Sequence, residues 1–240
     1  MSAAGYPVVL RIFGRRCVVV GGGQVATRKL GALVRDGAEV LVVAPEVSPD
    51  IEQLEATGGI TVERRPFEPA DLDGAFLAIA ATDSRVVNQQ VADEGQARGV
   101  LVNVTDDPGA CDFTVPAIVR RKDITVAVST GGRSPAFSRY LREQLGEWLT
   151  ESRFMLLELM TELRRDLRSA NRTTTPETWK QAIADEGVTS ALEDGDREGA
   201  RRRLFAILMA GQPGGAAPPT AKPQQGRASW PPFSGFSRRS

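Results

Sequence analysis

A glycine-rich segment between a strand pattern and a helix pattern most constrains this fold. Residues 16–20 form a β-branched run, and Gly21-x-Gly23-x-x-Ala26 follows it directly. A helical pattern then runs to Asp36. The first glycine permits a tight turn, the second lets the backbone approach a pyrophosphate, and the small Ala26 allows close packing of helix on strand. This order predicts the strand–turn–helix unit of a dinucleotide-binding fold.

Strand and helix patterns continue to alternate after this unit. With helical patterns between them, apolar strand patterns cover residues 39–44, 60–63, 75–81 and 100–104. Such strands are typical of a parallel sheet covered on both faces. We therefore expect α/β architecture, with a Rossmann-like domain over 1–112, a small α+β segment over 113–150 and an all-helical domain over 151–210. The proline- and glycine-rich residues 211–240 are expected to be a disordered tail.

Composition narrows the classes of function. The 240 residues include 30 basic and 30 acidic side chains, a balance that argues against nucleic-acid or membrane partners. No apolar run approaches the ~18–20 residues of a bilayer span, and the chain start has no signal-peptide pattern. We therefore expect a cytoplasmic protein. Cys17 and Cys111 lack zinc or redox spacing, and the absence of histidine removes the commonest metal ligand, so no metal site is expected.

An acidic residue lies where a dinucleotide-binding fold requires one. Glu46 follows the second strand pattern, the position from which a carboxylate binds the ribose 2′-hydroxyl. No arginine stands beside it to accept a 2′-phosphate, so NAD is favoured over NADP. The alternative is a glycine-rich turn that binds no nucleotide.

Two further polar segments follow strands at the same predicted sheet edge. Thr82 and Asp83 follow the fourth strand pattern, where they could line the cofactor crevice or cap the next helix. Asp106 and Asp107 follow the fifth. A carboxylate pair there could supply a general base or a cation site, but spacing alone favours an Asp-Pro turn.

A second glycine-rich segment repeats the strand–turn–helix order. Its backbone N–H groups, hydroxyls and arginine would form an anion cradle, and a plain connection is the alternative. The segment is Ser129-Thr130-Gly131-Gly132-Arg133-Ser134-Pro135.

Taken in order, these segments resemble the precorrin-2 dehydrogenase family, found alone or as the amino-terminal module of siroheme synthase. The resemblance covers residues 6–150 strongly and 151–210 only in helical character. The matching motifs are Val19-Val20-Gly21-Gly22-Gly23-x-Val25-Ala26-x-Arg28-Lys29, Ala78-Ile79-Ala80-Ala81-Thr82-Asp83, Asn103-Val104-x-Asp106, Phe113-x-x-Pro116-Ala117-Ile118 and Ser129-x-Gly131-Gly132-x-Ser134-Pro135-x-x-Ser138-Arg139.

The resemblance implies NAD-dependent oxidation of precorrin-2, a tetrapyrrole, to sirohydrochlorin in siroheme biosynthesis, by an intertwined homodimer built through the central segment. Asp106 matches the family's essential aspartate, as a base or as a group that orients the macrocycle, which reverses the interpretation from spacing. The 129–135 loop would meet the substrate carboxylates, with Arg133 and Arg139 as charged partners. The pyrophosphate and ribose contacts would come from Gln24, Val25, Pro45 and Glu46.

Three alternatives remain at this point. Some family members also insert Fe²⁺, but a chain without histidine favours a dehydrogenase alone, with chelation through Asp106 as the alternative. A regulatory module that senses NAD without catalysis needs neither Asp106 nor the 129–135 loop, so these segments favour an enzyme. A generic small-substrate dehydrogenase usually carries a larger domain with His, Tyr or Lys acid–base groups.

Overall fold

The structure is a computed structural model that describes residues 5–210. Contacts between residues divide this part of the chain into two units. One unit contains residues 5–119 and 126–143, and the other contains 120–125 and 144–210. The tail predicted over 211–240 lies outside the described residues, and the three-part division at residues 112 and 150 stays a prediction.

Five parallel strands form the central sheet of the first unit, in the order β3-β2-β1-β4-β5. They are β1 (Arg16–Val20), β2 (Glu39–Val43), β3 (Thr61–Glu63), β4 (Leu77–Ala80) and β5 (Leu101–Val104). The strand order reverses between β1 and β4, and ligands of such sheets bind where the carboxyl ends part at this reversal. The predicted Rossmann-like α/β fold is confirmed.

Helices cover both faces of this sheet because side chains alternate along its strands. Cys17 and Val19 of β1 pack with α1 (Gln24–Arg35) and α2 (Pro49–Ala56), and Val18 and Val20 pack on the opposite face with α3 (Arg85–Arg98). Burying a side chain such as Val18 contributes about 1.5–3 kcal/mol. Burial also raises the pKa of the Cys17 thiol to about 11, so this cysteine is a core residue.

The start of α3 corrects one expectation. Ser84 is the N-cap, and its hydroxyl accepts a hydrogen bond from the Val87 N–H at 3.4 Å. The capping role considered for Thr82 and Asp83 is therefore wrong. Both residues precede the cap, and they remain at the carboxyl end of β4.

A small two-stranded sheet follows β5 along the chain. It consists of β6 (Ala117–Arg121) and β7 (Ile124–Val128), and α4 (Pro135–Trp148) comes after it. No side chain of either strand is fully buried, and Ser138 is the one buried residue of α4 among those described. A two-stranded sheet is marginally stable by itself, so this region needs further packing.

Four helices form the rest of the second unit. They are α5 (Glu151–Ser169), α6 (Pro176–Ile183), α7 (Glu186–Glu193) and α8 (Arg197–Met209). Leu159 and Leu163 of α5 pack with Leu204 of α8 in their core. The sequence predicts only two helices after α5, and α7 is missed because it is short and contains Gly187. Within residues 5–210, no helix has the length and apolar character to cross a bilayer.

Candidate active site

The first glycine-rich loop lies where β1, β2 and β4 end. Gly21 has φ +122°, and a Cβ there would lie 2.3 Å from the Ala81 carbonyl oxygen. A Cβ on Gly22 would lie 1.9 Å from the carbonyl oxygen of Glu46. The Gly22 carbonyl in turn accepts a hydrogen bond from the Ser48 N–H at 2.8 Å. The two glycines therefore let three chain segments touch at the crevice.

Sequence reasoning treated Gly22 as a variable position of the motif. The structure makes it one of the most sterically restricted glycines of the loop, because the backbone after β2 lies directly against it. The run of three consecutive glycines is the sequence feature that could have indicated this steric restriction. The same contact brings Pro45 and Glu46, both exposed, beside the loop.

Gly23 differs from its two neighbours because it faces open space. A Cβ on Gly23 would meet no atom within 4 Å, and its φ of −88° suits any residue. Gly23 is the N-cap of α1, and no side chain among the described residues caps this helix. Uncapped N–H groups at a helix start bind anions. The space beside Gly23, Gln24 and Val25 therefore fits a pyrophosphate.

Thr82 lies beside this loop at the end of β4. Its backbone nitrogen would lie 3.2 Å from a Cβ on Gly21. The Thr82 hydroxyl donates to Asn88 Oδ1 at 2.8 Å, so it is used to hold the start of α3. Asp83 is exposed, and a role for either residue in cofactor binding stays a prediction.

The end of β5 adds an unpaired hydroxyl and a carboxylate. Thr105 donates its N–H to the Ala80 carbonyl at 2.9 Å, while its Oγ1 is buried without a hydrogen-bond partner in the described part of the chain. Buried polar groups are nearly always paired, so Thr105, which sequence reasoning missed, fits a site where a ligand supplies the partner. Asp106 follows with φ +62°, a left-handed conformation that costs energy outside glycine and clusters at functional sites.

The structure separates the two adjacent aspartates. Asp107 Oδ1 accepts a hydrogen bond from the Gly109 N–H at 3.1 Å and caps the 3₁₀ turn Pro108–Ala110. The Asp-Pro turn predicted from spacing is thus correct for Asp107. The exposed Asp106 carboxylate makes no hydrogen bond or ion pair with residues 5–210. In the same range, no group of three or more Cys, Asp or Glu side chains is placed to hold a metal ion.

A half-buried lysine contacts β5, the strand that ends just before this carboxylate. Lys29 of α1 donates from Nζ to Asn103 Oδ1 at 3.4 Å, and Asn103 Nδ2 donates to the Phe113 carbonyl at 2.9 Å. Burial lowers the pKa of Lys29, which the Cys111 thiol opposes; Arg28 lowers it further and Asp106 raises it. Sequence reasoning quoted Lys29 within a motif but gave it no role, because only the fold brings α1 next to the end of β5.

The second glycine-rich loop lies in the same unit, between β7 and α4. Gly131 and Gly132 have φ of +61° and +78°. The hydroxyls are used inside the loop: Ser129 Oγ accepts from the Gly131 N–H at 3.2 Å, Thr130 Oγ1 accepts from the Ser134 N–H at 3.2 Å, and Ser134 Oγ accepts from the Phe137 N–H at 3.2 Å. Most of the loop is exposed, and only Thr130 and Ser134 are partly buried. A substrate-binding role for this loop stays a prediction.

Two family models match the chain. The family described as "Putative NAD(P)-binding" matches residues 8–117, which contain the five-stranded sheet and its glycine-rich loop. The family described as sirohaem biosynthesis protein central matches residues 121–147, which contain β7 and most of α4.

Individual relatives agree with these models. The siroheme synthase of Methylobacillus flagellatus is 39% identical over 207 residues, which cover 84% of this chain and 44% of that protein. The siroheme synthase of Methylococcus capsulatus is 41% identical over 205 residues, covering 83% of this chain and 42% of that protein. This chain thus spans less than half the length of these relatives.

A solved structure matches over nearly its whole length. SirC, a precorrin-2 dehydrogenase, has a TM-score of 0.66 and 29% identity, and the match covers 85% of this chain and 98% of that one. The predicted resemblance is confirmed by these independent matches. The chain is therefore a homologue of siroheme synthases, and it shares the fold of the precorrin-2 dehydrogenase SirC.

Proposed function

We propose that this chain oxidises precorrin-2 to sirohydrochlorin, with NAD⁺ as the hydride acceptor. The observation that carries the proposal is that strand ends of one parallel sheet hold both an uncapped helix N-terminus and an unengaged carboxylate. The first suits a dinucleotide pyrophosphate, and the second suits proton transfer from a bound substrate. The likeness to SirC over 98% of its length supports this substrate class.

The glycine-rich loop and α1 hold the dinucleotide in this proposal. The N–H groups of Gln24 and Val25 bind the pyrophosphate across the open face of Gly23, and Gly21 keeps the turn tight. Pro45 and the Glu46 carboxylate bind the adenosine ribose beside them, while Thr82 and Asp83 border the crevice at β4. When bound, NAD⁺ supplies a two-electron acceptor that the protein side chains lack.

Asp106 removes a proton from the macrocycle. The oxidation takes one hydride and one proton from precorrin-2, and a new carbon–carbon double bond remains in the product. With NAD⁺ bound as the two-electron acceptor, the Asp106 carboxylate would accept the proton and pass it to water. A carboxylate without partners among residues 5–210 is available for this step, whereas Asp107 is committed to its turn.

The 129–135 loop binds the acidic side chains of the substrate. Arg133 provides a guanidinium that pairs with a carboxylate, and the left-handed Gly131 and Gly132 expose backbone at the turn. Ser129, Thr130 and Ser134 act on the substrate indirectly, because their hydroxyls keep the loop in shape.

Anaerobic incubation of the purified chain with enzymatically prepared precorrin-2 and NAD⁺ tests this function. We expect NADH to form together with the absorption spectrum of sirohydrochlorin. NAD⁺ binding without any turnover would favour a sensor module and contradict the proposal. Addition of Fe²⁺ afterwards shows whether the chain also accelerates siroheme formation, which in a chain without histidine would need another proton acceptor such as the Asp106 carboxylate.

We also propose a homodimer formed through α4 and the small sheet. Ile118 of β6 and Phe137 and Tyr140 of α4 are 36%, 52% and 54% exposed. Clustered exposed apolar side chains mark interaction surfaces. Light scattering of the purified chain is expected to give twice the chain mass, and Phe137→Asp with Tyr140→Asp is expected to give the monomer mass. A monomeric wild-type chain at micromolar concentration would contradict the dimer.

We propose a cytoplasmic location for the chain. Cys17 and Cys111 are free thiols, and unpaired thiols are the rule in reducing compartments. Cell fractionation checks this, and recovery from an oxidising compartment would contradict it.

Lys29 is proposed to support the site through its positive charge and its hydrogen bond to Asn103, three positions before Asp106. Replacing Lys29 by methionine is expected to lower kcat about tenfold, the equivalent of roughly 1.4 kcal/mol, while Lys29→Arg restores most of it. Arg28→Met, which removes an exposed charge from the preceding position, is the matched control and is expected to retain kcat. Equal losses in the Lys29 and Arg28 variants would contradict a specific role.

The stability of the Lys29 variant has a definite dependence on pH. Because folding lowers the pKa of Lys29, the folded chain binds fewer protons than the unfolded chain in the alkaline range below about 10.4. Wild-type stability therefore gains from this group as the pH rises through that range, and Lys29→Met loses the gain. We expect the melting temperature of the variant to decrease relative to that of the wild type as the pH rises from 7 to 10; a constant difference over this range would contradict the argument.

A further inference from the structure

The helical unit contains a cavity whose lining is basic and aromatic. Its volume is about 750 Å³, within the ~300–1,000 Å³ typical of small-molecule sites. It lies between the second half of α5, the 173–174 connection and α6, so all of its walls belong to the second unit. Four cationic side chains line it, and none of the described residues in its lining is acidic. The cations are Arg164, Arg168, Arg172 and Lys180.

Three of the four cations in this cavity form no ion pair with an acidic side chain in the described part of the chain. Arg164, Arg168 and Lys180 make no ion pair with an acidic side chain of residues 5–210. Two acids of the same helix are engaged elsewhere, because Asp166 is bound by Arg201 Nη2 and Glu162 by Arg197 Nη2, each at 2.9 Å. Like charges held around one concave surface attract anions from solution.

An aromatic ring forms one wall of the same cavity. The Trp179 Nε1–H donates to Thr174 Oγ1 at 2.8 Å, which fixes the orientation of the indole. The Arg164 guanidinium lies 5.5 Å from the ring centroid. Leu167 and Ile183 add apolar surface. A planar ligand with several acidic groups fits this cavity, because its ring can pack on the indole while its acidic groups pair with the cations.

We propose that this cavity is a binding site for a carboxylated tetrapyrrole, in addition to the substrate site of the first unit. The proposal rests on the proposed function, since a tetrapyrrole with acetate and propionate groups is the planar polyanion that such an enzyme encounters as substrate and product. A nucleotide shares the combination of a planar ring and acidic groups, so the experiment includes one.

Fluorescence titration of the full chain with uroporphyrin, a stable carboxylated porphyrin, tests this site. We expect uroporphyrin to quench indole emission and Trp179→Phe to remove most of that quenching. The double variant Arg168→Gln with Lys180→Gln is expected to weaken binding about tenfold, because two charge-assisted contacts are lost. Arg165→Gln is the matched control: this α5 side chain is 74% exposed and outside the cavity lining, and its variant should bind within about twofold of wild type.

Two outcomes would overturn the site. Quenching that is unchanged in Trp179→Phe and in the double variant would show that the porphyrin binds elsewhere. If ATP displaces uroporphyrin and binds more tightly than it, and if the Arg168 and Lys180 variants weaken ATP binding to the same extent, the cavity is a nucleotide site.

The substrate site is tested separately in the same experiment. Asp106→Asn is expected to keep the Trp179-dependent quenching, and the double variant is expected to keep wild-type precorrin-2 oxidation at saturating substrate. Quenching without any oxidation by the wild-type chain would refute the proposed function and leave the cavity intact. Oxidation without Trp179-dependent quenching would refute the cavity site and leave the proposed function intact.

Discussion

Replacing Asp106 by asparagine is expected to abolish measurable precorrin-2 oxidation, with a loss of about 10²–10⁴-fold in kcat, the usual contribution of a general acid–base group. NAD⁺ affinity should stay within a few-fold of wild type, because the carboxylate acts on the substrate. Asparagine tolerates the left-handed backbone of this position as aspartate does, so the fold is expected to remain intact. Initial rates of NADH formation, with NAD⁺ binding measured by calorimetry, check both parts.

The neighbouring carboxylate provides the matched control. Asp107→Asn makes the same chemical change one residue away, where the side chain caps a turn. It is expected to cost about 1 kcal/mol of stability or less and to retain most of the activity. If Asp107→Asn removes turnover and Asp106→Asn does not, the assignment of the base is wrong.

Replacing Gly23 by aspartate is expected to eliminate NAD⁺ binding without unfolding the chain. The new side chain enters open space, and aspartate is a favoured N-cap residue, so α1 should gain a few tenths of a kcal/mol. The same carboxylate would occupy the pyrophosphate position and repel its charge, and we expect affinity to fall about 100-fold or more, the equivalent of roughly 2.7 kcal/mol. Calorimetric titration with NAD⁺ and a thermal melt measure the two effects.

Gly31→Asp is the control for this variant. Gly31 also lies in α1, and a Cβ there would meet nothing within 4 Å, but it is two turns from the helix start. We expect its NAD⁺ affinity to be unchanged. Normal binding by Gly23→Asp would refute the pyrophosphate site, whereas a large drop in its melting temperature would refute the steric part of the argument.

The sheet and its first loop were predictable because their signals are local. After the exposed Arg16, the β1 residues Cys17–Val20 are all buried and apolar, so no polar residue interrupts the strand pattern there, and the glycines mark its end. The α7 helix was missed for the opposite reason, since it has only eight residues and these include Gly187 in the first turn.

The functional residues were less accessible from sequence. Asp106 and Asp107 are chemically identical, and spacing alone does not separate their roles, whereas in the structure Asp107 accepts a hydrogen bond from the Gly109 N–H. Lys29 and Asn103 lie far apart in sequence, so their contact is a property of the fold. Gly22 must be a glycine because the backbone of Glu46 leaves no room for a Cβ, a contact that only the fold creates. The exposed face of α4 likewise becomes apparent only when the residues packed against the helix are known.

The most direct test of this account is the stoichiometry of one anaerobic reaction. Precorrin-2 and excess NAD⁺ are mixed with the wild-type chain, and NADH and sirohydrochlorin are quantified together over time. The account predicts that the two products appear in equal amounts and at equal rates, and that neither appears with Asp106→Asn or Gly23→Asp. Sirohydrochlorin formed without matching NADH, or no product while NAD⁺ remains bound, would contradict an NAD-dependent dehydrogenase.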